Sequence, residues 1–598
     1  EIRLSLVGSE MCIRDRLYAS GGYVSKINEG SACILKSTDF GSTWTLLNTG
    51  IPKTGSAQRI ELAISTSDPN YVYALCCNMS QGLHAIYRTT NGGSTWSQRC
   101  TTPNILSSNG NGSGGQGAYD LTIIVNPTDR NTIYTGGLTV WGSNDGGTTM
   151  NQVNDYYSIH PDQHFFAYNN LNNTYYLCND GGLYKAQTIS QTLNTTSWTR
   201  ISDGMQIPSY YRVSTSKNNP NFLIAGAQDN GTVYYNGSTW NFVNGGDGMD
   251  GSMDGIDSST MIVSSQFGYF EKTTDGGQTL TSLNITGENG EWTTPIERDP
   301  TNNNVLYAGY ENLHKSTDNG DNWSPISNIT GPPITSIAIC PSNNNYIYLT
   351  KRVQTTTSSG AMAWRTSNGG SSWTDITAGL PDSLYFIDLA VDDVNPNTVW
   401  VSVGGFYPGV KVFQTIDGGL NWTNISYNLP NLPVNTVLKR TGTNELYVGC
   451  DVGIYKLDNG QTTWQLFSNG LPNVIVSDLE IYYATNKMYC STFGRGIWSV
   501  DLTGGGSSVN ENPIKDAVIT INPSLNNGEF QLSISGMNTG KGNFEIIDIM
   551  GRKVLSETIE LNAGNFNKNY KLQLNYGLYF AKVSAQSVNS KVIRFMVK

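Results

Sequence analysis

The segment Ser37–Trp44 reads STDFGSTW, and variants recur as TTNGGSTW (89–96), STDNGDNW (316–323), TSNGGSSW (366–373) and TIDGGLNW (415–422). The third position of each such box falls at Asp39, Asn91, Asp145, Asp275, Asp318, Asn368, Asp417 and Asp458. Most spacings lie between 41 and 54 residues, and one long gap separates Asp145 from Asp275. A period near fifty residues that carries strands and turns rather than helices is the mark of a β-propeller. No other feature of the chain restricts its fold as strongly.

Each unit reads in the same order. An alternating strand such as ELAIST (61–66) or TSIAIC (335–340) is followed by a polar Asn-Pro or Asp-Pro turn. A Tyr/Val-rich strand and a third strand lead into the box, and a short strand follows its Trp. Four strands per unit make one blade, and about eleven units fit between residues 17 and 502. Eleven exceeds one ordinary ring. Two seven-bladed rings with N-terminal blades missing are expected, the alternative being a single ring of about ten.

The box has a structural task in this reading. Asp or Asn in a hairpin accepts backbone N–H bonds just downstream, and its Gly residues supply positive φ. The rings of Trp44, Trp96, Trp323, Trp373, Trp422 and Trp464 are expected to pack within or between blades. Asn at 91 and 368 keeps the accepting oxygen and discards the charge, which fits a turn and not a catalytic carboxylate.

These boxes resemble the Asp-box (BNR) repeats of sialidases, sortilin-type receptors and xyloglucanase-like glycoside hydrolases, from about Leu17 to Leu502. The resemblance implies a propeller and leaves the function open, because catalytic and binding propellers share the motif. A sialidase would need an arginine triad, a Tyr nucleophile and a Phe/Tyr-Arg-Ile-Pro start, and arginines are few. A sortilin-type receptor would bring a Cys-rich module and a membrane span.

The chain has 598 residues with 65 Gly and 33 Tyr, and charged residues make up only 14%. The net charge is −11, and the last 83 residues run against it with 9 basic and 6 acidic side chains. An acidic body excludes nucleic acid as a partner, since phosphates require basic surface. No apolar run is long enough to span a bilayer. The opening EIRLSLVGSEMCIRDR fits nothing downstream, so residues 1–16 are set aside as a non-native leader and the signal peptide is expected to have been lost with a missing N-terminus. The eight cysteines beyond it form no CxxC pair, and buried free thiols are expected rather than a disulfide framework.

TGGGSSVNENPIK (503–515) reads as a linker. Short alternating strands then return over 516–598, as expected of a small Ig-like β-sandwich. INPSLNNGEFQLSI, IIDIMGRKV, LNYGLYFAKV and a Lys-ended last strand resemble the C-terminal sorting domain of type IX secretion substrates in Bacteroidetes-type bacteria. That resemblance implies export through the periplasm, the type IX secretion machinery as partner, and a secreted or outer-membrane cell-surface location. Ile521 departs from the Pro that the family has before Asn522-Pro523.

Candidate chemistry concentrates where boxes are lost. IHPDQHFFAY (159–168) offers His160, Asp162 and His164 at alternate positions, which in a strand share one face about 6–7 Å apart. Three readings fit this pattern: a metal held by His160 and His164 with a ligand from another blade, a ligand-binding or catalytic role for His160, Asp162 and His164, or a polar strand near the ring axis. AQDNG contributes Gln228 and Asp229 as ligand-binding candidates beside Asp247 and Asp250 of GGDGMDGSMDGID, and the aspartates of that second segment (Asp247, Asp250, Asp254 and Asp257) suit either Ca²⁺ or ordinary turns. These motifs resemble secreted bacterial propellers described as glycoside-hydrolase-like. Asp180 in NDGGLY and Asp451 in CDVGIY resemble the Asp-x-Gly-Gly context of xyloglucanase acids, and the same pattern arises from blade turns. Paired tyrosines at 156/157, 210/211 and 234/235 suit sugar stacking or packing. The expected function is binding of extracellular polysaccharide or a surface protein; the alternative is a xyloglucanase-like hydrolase acting on plant-type polysaccharide.

Overall fold

In the computed structural model the described residues are 5–8, 16–21, 32–47, 49–51, 56–217, 219, 222–352, 360–468 and 470–502. In the C-terminal domain they are 518–522, 525–526, 528–535, 540–548, 552–561, 565–574, 577–585 and 588–597. The linker expected at 503–515 lies outside them. The chain divides into two compact units, Glu1–Leu502 and Thr503–Lys598.

Among the described residues the first unit holds eleven successive antiparallel sheets, ten of four strands and a last one of three. We number them as blades 1–11, spanning 5–47, 59–100, 122–152, 163–200, 210–244, 251–283, 296–325, 334–375, 386–424, 434–466 and 475–501. Blades 5–11 close into a seven-bladed ring. The inner strand Tyr210–Thr215 of blade 5 lies against Ile475–Tyr482 of blade 11, where Arg212 donates to the Ser477 carbonyl at 2.9 Å and Ser477 Oγ to the Tyr210 carbonyl at 2.6 Å. This closure excludes the single ring of about ten blades, because seven sheets already meet end to end. Blades 1–4 form a separate array that joins the ring through blade 4. Ser5–Gly8, set aside on sequence grounds, pairs antiparallel with Leu17–Gly21 as the first strand of blade 1; backbone pairing on that open sheet edge requires no particular side chain.

Seven boxes share one geometry. The Ser or Thr hydroxyl donates to Oδ1 of the Asp or Asn at 2.7–2.9 Å. A box glycine N–H returns to that hydroxyl at 2.8–3.0 Å. The N–H four residues beyond the Asp or Asn reaches Oδ1 at 2.8–3.0 Å. Donors at that same residue (Thr43, Thr279, Asn322, Asn421) hold the carboxyls of Asp39, Asp275, Asp318 and Asp417 at about 2. Asp458 departs from the pattern and pairs with Lys456 at 2.8 Å.

The box tryptophans are mortar between bricks. Trp373, Trp422 and Trp464 donate their indole N–H to the carbonyls of Ile326, Ile376 and Ile425 in the preceding blade at 2.8–2.9 Å. Trp44 and Trp323 bond within their own boxes, to Gly41 and Gly320, and Trp96 is buried in the core shared by blades 1 and 2. Along the ring axis, acidic residues of one inner strand accept N–H groups of the next. Asp250 accepts from Ile296, Asp388 from Val437, Asp478 from Val213 and Glu480 from Thr215. All eight described cysteines are free, seven of them buried.

The second unit is a two-sheet sandwich. Val518–Asn522, Glu529–Ser535 and Asn565–Lys571 form one sheet, and Leu525–Asn526, Val588–Val597, Gly577–Ala585, Gly540–Asp548 and Lys553–Leu561 the other. Phe530, Phe544, Tyr570 and Phe595 fill its core. Ile521 is paired with Leu532 and buried, so a β-branched residue serves the core at the position where the sorting family has Pro.

Candidate functional site

Antiparallel pairing places the start of a blade's first strand, the end of its second and the start of its third on one sheet edge. In blade 4 the pairs Gln163↔Asn179 and Asn179↔Gly182 define that edge. Asp162 immediately precedes it and Asp180 lies in its hairpin. In blade 5 the pairs Tyr210↔Ala227 and Ala227↔Gly231 place Asp229 on the corresponding edge. The boxes occupy the opposite end of the strands, after the third. The site and the boxes are therefore on opposite faces.

The two edges meet in a seam. His160 Nε2 lies 2.7 Å from the Asp229 carbonyl oxygen, and Asn230 Nδ2 donates to the Asp180 carbonyl at 2.9 Å. Gly181 can only be glycine there, since a Cβ would come within 2.4 Å of His160 Cβ. Asp247 joins from the following loop, accepting the Asp229 N–H at 2.7 Å and a bond from Gln266. Single carboxylate oxygens of Asp162, Asp180 and Asp229 all lie within 4.8 Å of one another. Four motifs well separated in sequence thus converge at one place.

Three further residues belong to the cluster. Tyr119 donates its hydroxyl to Asp180 Oδ2 at 2.7 Å, and Gln116 donates to Asp162 Oδ1 at 2.8 Å. Asp120 is fully buried behind Asp162. The segment GQGAYDL (115–121) carries no repeat motif, so the sequence does not mark these three. One signal was available: Asp120 lies just before the first strand of blade 3, Thr122–Val125, much as Asp162 lies before Gln163–Asn169.

Crowding separates the carboxyls electrostatically. Burial, and then the Asp162 carboxylate, push Asp120 up to about 8. Burial and contact with Asp180 push Asp229 up to about 7. Asp162 is also raised, by burial and then by Asp180. Asp180 moves the other way: burial opposes ionisation, but bonds from His164 (Nε2 to Oδ1, 2.7 Å), Tyr119 and Asp229 outweigh it.

The other expected residues fall elsewhere or differ in detail. His160, Asp162 and His164 do not share a strand face. Asp162 has a left-handed backbone (φ 64°), the strand begins only at Gln163, and a bulge follows before Phe165. Both His160 nitrogens lie against carbonyl oxygens, Nδ1 at 3.1 Å from Pro161 and Nε2 on Asp229, and His164 Nε2 is on Asp180. The structure does not assemble the aspartates of GGDGMDGSMDGID into one loop site. Asp247 stands in the seam, Asp250 accepts from Gly251 and Ile296 at the ring axis, Asp254 accepts from Asn303 and Asn319, and Asp257 caps Ser259 and Thr260. Asp451 lies in a blade 10 hairpin, bonded to Asn435, and is not brought to Asp180.

Above the carboxylates a cleft of about 1200 Å³ runs along the seam. Its lining includes Tyr119, Tyr210, Trp240, Phe242 and Phe493 together with Asp180, Gln228, Asp229 and Asn230. Trp240 and Phe242 are 50% and 64% exposed. Tyr156 and Tyr157 are also exposed, whereas Tyr210 and Tyr234 are buried.

Comparison with known proteins fits this architecture. Residues 520–598 match the secretion system C-terminal sorting domain. Among solved structures, an ancestral GH74 enzyme aligns with 82% of this chain and 85% of its own, at 15% identity and a TM-score of 0.53. The GH74 enzyme of Niastella koreensis aligns over 82% of each chain at 18% identity and a TM-score of 0.30. The GH74 xyloglucanase of Xanthomonas campestris covers 81% of this chain and 83% of its own, at 14% identity and a TM-score of 0.28. None of the curated proteins matches the sequence significantly. No described helix is long and apolar enough to cross a membrane. The chain is a β-propeller protein similar in fold to an ancestral GH74 enzyme, carrying a C-terminal sorting domain that directs it through type IX secretion to the medium or the cell surface.

Proposed function

We propose that this exported protein binds extracellular polysaccharide in the cleft between blades 4 and 5. The observation that carries this reading is one cleft lined both by exposed aromatic rings, above all Trp240 and Phe242, and by the carboxyls and amides of Asp180, Gln228, Asp229 and Asn230. An exposed indole beside hydrogen-bonding groups suits the alternating apolar faces and hydroxyl edges of a sugar chain. The cleft volume exceeds the roughly 300–1,000 Å³ of small-molecule pockets, which favours an extended, oligomeric ligand.

A hydrolytic reading draws on the contrast between Asp229, raised to about 7, and ionised Asp180. Asp229 is hydrogen-bonded directly to Asp180, which leaves no space between the two for the sugar or water that a hydrolase pair flanks. Two carboxyls so bonded share a proton more readily than they flank a glycosidic bond. Binding is therefore the better-supported reading, and the GH74-like fold makes xyloglucan the first polysaccharide to try.

The test is affinity electrophoresis and calorimetry of the full chain against xyloglucan, other β-glucans and mannans, with product analysis for chain cleavage. Binding weakened about tenfold or more by Trp240→Ala together with Phe242→Ala supports the reading; tenfold corresponds to about 1.4 kcal/mol. Binding untouched by that double change would sink it, and depolymerisation lost in Asp229→Asn would replace it with the hydrolase.

A further inference from the structure

The floor of the seam crowds carboxyl groups from two blades, and burial with mutual repulsion raises Asp120, Asp162 and Asp229 above the usual carboxylate range. Asp162, Asp180 and Asp229 each bring an oxygen into one sphere of 4.8 Å. Asp120 is fully buried, and apart from Asp162 no side chain of the described residues hydrogen-bonds to its oxygens. The group it faces is another carboxylate, that of Asp162. Two carboxyl groups buried against each other must share a proton or a cation between them.

The charge of Arg59 acts on Asp120, but its guanidinium bonds go to other groups. Arg59 donates to the carbonyls of Ala118, Tyr119 and Leu121 at 2.9–3.3 Å and lies 3.7 Å from Glu61. His164 and Tyr119 each take one oxygen of Asp180, and Gln116 takes one of Asp162. Those oxygens keep a further lone pair, and hydrogen bonds of this kind orient a carboxylate as outer-sphere partners of a metal do.

We propose that Asp162, Asp180 and Asp229, backed by the buried Asp120, hold a calcium ion that ties blade 4 to blade 5. An all-oxygen, carboxylate-rich set selects hard cations over zinc or copper. Oxygens bound to one Ca²⁺ at about 2.4 Å can stand at most about 4.8 Å apart, and all three pairs here meet that limit. The ion spans the junction itself: Asp162 and Asp180 belong to the open array, and Asp229 to the closed ring. These are not the residues of the GGDGMDGSMDGID segment, and the inference stands whatever occupies the cleft above.

The experiment strips the full chain with a chelator, exchanges it into chelator-free buffer and titrates CaCl₂ by calorimetry. MgCl₂ and ZnCl₂ are run in parallel, and thermal unfolding is followed with and without each ion. Expected is one Ca²⁺ per chain with a Kd on the order of 10⁻⁴–10⁻³ M or tighter, with a raised unfolding midpoint for the propeller. Asp229→Asn and Asp162→Asn should each weaken Ca²⁺ at least roughly tenfold. Their metal-free midpoints should equal or exceed the unsubstituted chain's, because each removes one of several crowded like charges; this separates loss of the ion from loss of the fold. Asp451→Asn should leave Ca²⁺ binding unchanged. The proposal is overturned by absence of heat and of any midpoint shift up to about 10 mM Ca²⁺. Unaltered affinity in both seam variants, or a site that prefers Zn²⁺, would overturn it equally.

Discussion

Blades 7–9 and blades 4–5 are built from the same four-strand unit, and they differ in which end of the strands is ordered by polar groups. In blades 7–9 the box closes the hairpin after the third strand, and two of the three box tryptophans bond to the preceding blade. Blades 4 and 5 lack the box, and their elaborated loops lie at the other end, where carboxylates of two blades face each other. Regular blades use polar groups to finish a turn. At the seam the polar groups are left over after the turns are made, and a surplus of that kind is what a ligand uses.

The contrast can be broken at its structural pole first. Trp464 is 2% exposed, packed with Val437, Leu446 and Leu457, and bonded to the Ile425 carbonyl. Trp464→Ala should destabilise the ring by about 3–5 kcal/mol in chemical denaturation, with polysaccharide affinity of the still-folded chain unchanged. Ser316→Ala, which removes the buried hydroxyl joining Asp318 to the Gly320 N–H, should destabilise by about 1–2 kcal/mol and again spare binding. Loss of binding in either folded variant would erase the division between box and seam.

A smaller, pH-dependent effect sharpens the comparison along the ring axis. Burial first, then neighbouring acids, push Glu480 up to about 8; burial pushes Asp478 up to about 7, against the pull of Arg212. The unfolded chain releases these protons near pH 4, so the folded chain binds more protons between pH 4 and 8. Their contribution to stability is therefore full below about pH 4 and is lost as pH rises towards 8. The box aspartates behave oppositely, because a carboxyl held at about 2 contributes above pH 4 and loses that contribution as pH falls. Glu480→Gln should flatten the decline between pH 5 and 8 in thermal unfolding; an unchanged slope would remove Glu480 as its source.

Much of the fold was legible because its signals are local. The box is a contiguous eight-residue hydrogen-bonded turn, its period counts blades, and alternating strands with Gly-rich turns mark the C-terminal sandwich. The region of the site was legible too, as the stretch where boxes disappear. Its composition was not. Asp120 and Tyr119 become site residues only because the edge of blade 3 lies beside the edge of blade 4, a relation between units that no single motif encodes. The alternate spacing of His160, Asp162 and His164 implied a shared strand face, yet a left-handed residue at 162 turns the segment before pairing starts. Closure of seven blades likewise rests on contacts between Tyr210–Thr215 and Ile475–Tyr482, segments 265 residues apart in sequence.

The most direct test of the central claim, that function resides in the seam and structure in the boxes, is amide hydrogen exchange of the full chain with and without saturating polysaccharide. Slowed exchange confined to residues 116–120, 160–164, 205–210 and 228–246, with the boxes at 37–44, 316–323 and 415–422 unchanged, is the predicted result. Protection at the boxes, with the seam exchanging at its ligand-free rate, would contradict it.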